Sequence, residues 1–282
     1  MAIELNDKMV DVANKNLYGK FYNHHKYPKL VSKIINSLLV FQLKSKIYLS
    51  NIIRKFLCFL IFSKQDLTSD IKIKTCMSKN SNEIQKEILD KGYIFLENFL
   101  NNDYHLLLKK EFPKEIFLQK SKSPLKNYDM GFVYLKNRHN PNFKFSEILG
   151  KLYQFIISKD FETEINNTFN LQEKKLKCKN IVTSLANENS FLIPHKDSIS
   201  LTKKNLNINF IYFVDGNDSE IEYSGGTSIF KDNGAEQVLL TPKTLKNSIL
   251  MYDNTKNFYH GFKIMKKDCF RKAVTFQFNL EE

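Results

Sequence analysis

Two histidines, one aspartate and one arginine, spread over residues 195 to 271, are the side chains in this sequence that could do chemistry together. His195 and Asp197 stand in Pro194-His195-Lys196-Asp197, His260 in Tyr259-His260-Gly261, and Arg271 follows eleven residues later. Side chains on a strand alternate faces, so His195 and Asp197 project to one side and can grip a single ion while Lys196 points away. His260 lies in a strand-like run, Asn257 to Ile264, that could return beside them. Two imidazoles and one carboxylate on one face of an octahedral ion leave positions open for a bidentate ligand and for O2. An HxD pair alone is common, so the order His195-x-Asp197, His260, Arg271, with Gly225-Gly226-Thr227 between, carries the argument.

Such a set needs a rigid frame, and the chain around it reads as one. After Asn180 short strands alternate with turns: Ile181 to Leu185, Phe191 to His195, Leu206 to Val214, Gly226 to Phe230, Glu236 to Thr241, Ser248 to Tyr252, Asn257 to Ile264 and Arg271 to Asn279. Asp215-Gly216-Asn217-Asp218 and Asp232-Asn233-Gly234 supply turns. Eight short strands suit a jelly roll. Upstream, Asn80 with Glu83 can cap a helix carrying Ile84, Ile88 and Leu89, with Gly92 at its stop. Tyr93 to Leu96 reads as a strand, and Asn102-Asp103 opens a helix with Tyr104, Leu107 and Leu108. Residues 119 to 143 read as loops around a short Gly131 to Tyr134 strand, and helical spacing recurs over Ser146 to Ser158 and Phe161 to Phe169. These last helices are expected on the outer face of the sheet.

With this frame, the residues from about 180 to 280, and more weakly those from about 84 to 113, resemble the 2-oxoglutarate/Fe(II)-dependent oxygenases, specifically their prolyl-hydroxylase-like branch, beside the phytanoyl-CoA-hydroxylase-like enzymes. The resemblance implies an α+β, mainly β fold: a double-stranded β-helix, jelly-roll and cupin-like, with flanking helices and a helical N-terminal extension. It implies that His195, Asp197 and His260 bind Fe(II), with 2-oxoglutarate and O2 as cosubstrates, and that Arg271 pairs with the far carboxylate of 2-oxoglutarate through its two-bond fork. Thr275 shares the face of Arg271, with Ala273 and Gln277, and its hydroxyl could assist. Tyr212 resembles a tyrosine that prolyl-hydroxylase-like enzymes place against the same carboxylate; otherwise it is a barrel-lining aromatic. Two departures bear on the reaction. Ala273 stands where many relatives have serine, and Gln277 stands where alkylation-repair demethylases carry a second arginine, so repair of nucleic acid is disfavoured. Because Asp197 is present, hydroxylation is expected rather than halogenation.

The chain of 282 residues, 42% hydrophobic and 13% aromatic, is long enough for a full core, and its formal charge is +13. We expect residues 1–80 to be a basic helical extension and residues 81–282 the oxygenase domain. From Val12 to Gln65 there is no Asp or Glu, while lysines and Arg54 recur. The run Ile47 to Phe62 reads as a helix with a polar stripe of Ser50, Asn51, Arg54 and Lys55. Its uninterrupted apolar stretch, Phe56 to Phe62, is far short of the ~20 residues that cross a bilayer. It can lie on an anionic membrane surface, or pack on the catalytic domain or a second subunit. Basic residues among Tyr18, Phe21, Tyr22 and Tyr27 come with no nucleic-acid reading motif, so no nucleic-acid partner is expected. Cys58, Cys76, Cys178 and Cys269 are scattered, which fits reduced thiols, and the N-terminus lacks a secretion signal. A cytoplasmic protein, peripheral at the inner face of a membrane, is expected. The substrate would be a small molecule, an anionic sugar, glycolipid or lipid-linked sugar, with a prolyl or amino-acid substrate as the alternative. A non-catalytic scaffold of the same shape, and a cupin-type enzyme using the metal without cosubstrate, are the competing classes.

Overall fold

The computed structural model describes residues 72–114, 118–123, 126–134, 147–171, 175–197, 206–218 and 221–280. The expected helix at 47–62 and the basic surface at 12–65 lie outside the described residues.

Eleven strands follow one another among the described residues: β1 Tyr93–Glu97, β2 Gln119–Ser123, β3 Lys126–Tyr134, β4 Leu176–Ala186, β5 Phe191–His195, β6 Asn207–Gly216, β7 Ser228–Phe230, β8 Val238–Leu240, β9 Ser248–Asp253, β10 Tyr259–Phe262 and β11 Arg271–Leu280. All pair antiparallel in the order β1-β9-β6-β11-β4-β3-β5-β10-β7-β8, with β2 on the flank of β3. The path folds back on itself. Ile211, Leu250 and Ala273 from β6, β9 and β11 share one buried cluster with Ile229 from β7, so the two halves face each other as in a jelly roll.

The alternation within the long strands divides the molecule into an interior and an outer layer. On β11, Arg271, Ala273 and Thr275 occupy one phase, and Val274, Phe276 and Phe278 the other. The second phase packs under helices: α1 Ser81–Asp90, α2 Asn102–Lys110, α3 Glu147–Ile156 and α4 Lys159–Thr168. Each helix presents an apolar stripe at spacings of three and four, as in Ile84 and Ile88 of α1, and Ile148, Leu149, Leu152 and Ile156 of α3. Phe210 and Phe276 stack at 4.8 Å, and Phe161 of α4 meets Phe276 and Phe278 edge-on at 6.0 Å. Burying one such ring contributes roughly 2–3 kcal/mol, so this seam alone fixes α4 on the sheet.

Several local expectations need correction. Asn80 does not cap α1: its side-chain amide donates backwards to the Cys76 carbonyl at 2.8 Å. Gly92 does end that helix, at φ 87°, with its N–H on the Glu87 carbonyl. The stretch taken as loop after residue 119 is a β2–β3 ribbon, and β3 is the strand that joins the two halves by pairing with both β4 and β5. Packing against the sheet and helices continues upstream of α1: Met77 is fully buried, Thr75 bridges Leu100, and the Thr75 hydroxyl donates to Glu164 at 2.7 Å. No helix among the described residues is long and apolar enough to cross a membrane.

Candidate metal centre

The register of β5 and β10 brings the two histidines together. His195 and His260 are direct cross-strand partners, with ring centroids 4.4 Å apart. Beyond them the pairing slips, Phe262 facing Leu192, so β5 carries one residue more than β10 over this interval. Pro194 sits in that bulge, where its missing N–H costs no ladder bond. Opposite, a Cβ on Gly261 would lie 2.5 Å from the Leu192 carbonyl oxygen and 2.8 Å from the Pro194 nitrogen. Glycine is therefore required immediately after His260 by the closeness of the two backbones.

Asp197, two residues past His195, returns to the same side. Its Oδ1 lies 3.5 Å from His195 Nε2 and 3.7 Å from His260 Nε2, and the three donor atoms fall within 4.8 Å of one another. The Nδ1 of His195 is 2.9 Å from the Ile193 carbonyl. A carbonyl only accepts, so Nδ1 carries the proton and Nε2 presents its lone pair to an ion. Burial pushes His260 down to about 4, against the pull of Asp197 and with the help of His195, so its imidazole is neutral at neutral pH and able to ligate. Burial alone would raise the Asp197 carboxyl. The nearby imidazoles and a hydrogen bond from Asn209 outweigh it and hold the group well below the usual carboxylate range. Two imidazole nitrogens and one carboxylate oxygen form a donor set that would fit Fe(II).

Arg271 opens β11 and is only 4% exposed. Its Nη1 donates to the Gly225 carbonyl at 3.1 Å and the Thr227 hydroxyl at 3.0 Å, and its Nη2 to the Ser184 hydroxyl at 3.1 Å. Phe262 lies 4.5 Å beneath the guanidinium carbon. Burial pushes the group down to about 10, and its Nε has no hydrogen-bond partner. No carboxylate among the described residues pairs with it. A buried cation supported only by neutral acceptors fits an incoming anion such as the far carboxylate of 2-oxoglutarate. Tyr128 lies within electrostatic reach of both Arg271 and Asp197, so the guanidinium and the His195–Asp197–His260 cluster share one chamber.

The remaining expected residues divide. Thr275 keeps the interior phase of Arg271 and pairs with Ile211 of β6. Tyr212 does not join the chamber. It takes the other phase of β6, packs on Phe99 at 5.5 Å, and its hydroxyl meets His105 Nδ1 at 3.0 Å and Asn247 Oδ1 at 3.2 Å in the core beneath the helices. Strand alternation places it there, because Ile211 and Phe213 already take the interior phase. Lys196 points away, over the Tyr259 ring at 4.6 Å, with its ammonium on Asn257. Sequence reasoning passed over Ser184, Asn209, Tyr252 and Tyr128. The signal available for Asn209 was a polar residue within the apolar run Ile208 to Val214 of β6, whereas β4 mixes polar and apolar residues and offered none for Ser184.

No protein-family model matches the sequence, and no curated protein matches it. Among solved structures, a prolyl hydroxylase from Trichoplax adhaerens, in complex with a hypoxia-inducible-factor oxygen-degradation-domain peptide fragment, superposes with a TM-score of 0.51 at 10% identity, covering 72% of this chain and 90% of that one. An oxidoreductase of the 2OG-Fe(II) oxygenase family from Burkholderia pseudomallei superposes with a TM-score of 0.50 at 7% identity, covering 71% and 89%. At such identities the likeness is one of fold.

Proposed function

We propose that this protein is an Fe(II)- and 2-oxoglutarate-dependent dioxygenase that hydroxylates its substrate, consuming O2 and releasing succinate and CO2. The observation that carries this reading is the chamber itself: a two-histidine, one-carboxylate donor set and, in the same interior, a buried arginine that no carboxylate among the described residues pairs with. The oxygenase-like fold supports it. When bound, Fe(II) with 2-oxoglutarate supplies the oxidising power to replace a C–H bond of the substrate by C–OH.

The chain's own residues bind and orient. His195 and His260 would present imidazole nitrogens to the ion, and Asp197 would supply the one carboxylate ligand. Arg271 would anchor the far carboxylate of a bound keto acid and so orient it in the chamber. The Ser184 and Thr227 hydroxyls accept from Arg271, and the Ser184 hydroxyl donates in turn to the Ala273 carbonyl at 3.5 Å, so these two side chains hold the guanidinium in place. Thr275 stands on the same phase as a further hydroxyl, and the Phe262 and Tyr128 rings flank the guanidinium at 4.5 Å and 6.0 Å.

We read the substrate as anionic, a sugar or glycolipid met at an anionic membrane surface on the cytoplasmic side. The acid-free basic stretch from Val12 to Gln65 supports this, as a region separate from an oxygenase domain that we place at 81–282. Salt-sensitive sedimentation with phosphatidylserine vesicles, and not with neutral ones, tests that part. The reaction class is tested by succinate release from 2-oxoglutarate with Fe(II) and O2. Release by the wild type, lost in His195→Ala, is expected; no release with any substrate extract overturns the reading.

A further inference from the structure

One oxygen of Asp197 faces the two histidines, and the other is already taken. Asn209 Nδ2 donates to Asp197 Oδ2 at 2.6 Å, while Oδ1 is the atom near both imidazole Nε2 positions. Asn209 is 5% exposed on the central strand β6, where every residue is buried. A buried amide in an apolar strand costs stability unless its hydrogen bonds are made. Here they are made to a side chain that ligates and to one that packs against a ligand. Tyr252, the direct cross-strand partner of Asn209 on β9, takes a second bond from the same Nδ2 at its hydroxyl, 3.0 Å away. The Tyr252 ring in turn lies 4.8 Å from the His260 ring. The amide's orientation is fixed by chemistry: an ionised carboxylate only accepts, so the NH2 end must face Asp197.

From this geometry we infer that Asn209 and Tyr252 are positioning residues that commit Asp197 to bind the metal through Oδ1 alone. The inference rests on the functional reading above and extends it to the coordination number. A carboxylate free to rotate can grip an ion through both oxygens, which consumes a position needed by a non-protein ligand. With Oδ2 held by the Asn209 amide, that mode requires breaking a charge-assisted hydrogen bond to a buried amide. Tyr252 holds the amide from behind and the His260 ring from the side, so it ties two of the three ligands to one rigid pair of strands.

Co(II) titration of the full-length protein tests this, reading both affinity and the visible ligand-field spectrum, whose intensity reports coordination number. For Asn209→Ala we expect Co(II) affinity to fall roughly 10- to 100-fold and the band intensity to change. Tyr252→Phe keeps the ring on His260 and removes only the hydroxyl, so a smaller loss in the same direction is expected, and this variant decides the matter if Asn209→Ala does not fold. Unchanged affinity and spectrum in the folded variants overturn the inference while leaving the metal centre standing. Failure of the wild type to bind Co(II) overturns the functional reading and the inference with it.

Discussion

Replacing Arg271 by methionine separates the stability of the chamber from its capacity to hold a dicarboxylate. Burial pushes the guanidinium well below its ordinary value, down to about 10. A depression of that size corresponds to roughly 3 kcal/mol spent on keeping the charge in the interior. Against this stand three hydrogen bonds, to Gly225, Thr227 and Ser184. Methionine has similar length, removes the desolvation cost and strands those acceptors, although both hydroxyls can rotate to other partners. The opposing effects are of similar size, so we expect the ligand-free stability of Arg271→Met to stay within about 2 kcal/mol of wild type. Binding of 2-oxoglutarate has no such compensation. Losing one partner of a buried, hydrogen-bonded charge pair costs about 2–5 kcal/mol, or roughly 30- to 5000-fold in affinity. Anaerobic calorimetry on Mn(II)-loaded protein reads this directly, with pyruvate as the control keto acid that lacks the far carboxylate. We expect 2-oxoglutarate to be lost and pyruvate to bind as before. Equal 2-oxoglutarate affinity in wild type and variant, or an equal loss of pyruvate, refutes the assignment.

Tyr212→Phe leaves the chamber intact and removes a hydroxyl shared by His105 and Asn247. It should lower stability by about 1–3 kcal/mol in denaturant unfolding and leave 2-oxoglutarate affinity unchanged; a selective loss of affinity would return Tyr212 to the site. In Gly261→Ala the new methyl meets backbone atoms of Leu192 and Pro194, which cannot swing aside. Destabilisation of about 1–3 kcal/mol or more with weakened Co(II) binding is expected, and wild-type behaviour in both measurements would mean that β5 and β10 are not so tightly apposed. Acid should destabilise the metal-free protein. His260 in the folded chain titrates near 4, below the 6.5 of an unfolded imidazole, so the unfolded chain takes up the proton first and stability falls as pH drops through this window. Asp197, also depressed on folding, adds a loss in the same direction once pH passes below 3.8. Urea unfolding at several pH values should show that slope reduced in His260→Gln; an identical slope in both proteins would assign it elsewhere.

The sequence made the cluster of His195, Asp197 and His260 legible because strand alternation ties His195 to Asp197 locally and His260 lies in a strand-like run; the crowding that requires Gly261 became visible only with the β5–β10 pairing. It also made the interior phase of Arg271 and Thr275 legible, since β11 alternates along its apolar length. Tyr212 was misplaced because β6 is buried on both faces, so hydrophobicity carries no phase there and only the partners of its hydroxyl reveal the side. The β2–β3 ribbon escaped because Gln119-Lys120-Ser121-Lys122-Ser123 has no apolar alternation and is held by backbone pairing to β3. Asn80 failed as a cap for a similar reason: spacing names a candidate acceptor, but its amide found the Cys76 carbonyl first. Ser184, on the strand beside Ala273, needed the β4–β11 register before its contact with Arg271 could be known.

Native mass spectrometry of the full-length chain, prepared anaerobically with Fe(II) and 2-oxoglutarate, puts the central claim to its most direct test. The wild type should carry one iron and one 2-oxoglutarate together, His260→Ala should retain neither, and Arg271→Met should keep the iron and lose the keto acid. A wild-type chain without iron, or a His260→Ala chain that holds both as firmly as wild type, would contradict the account.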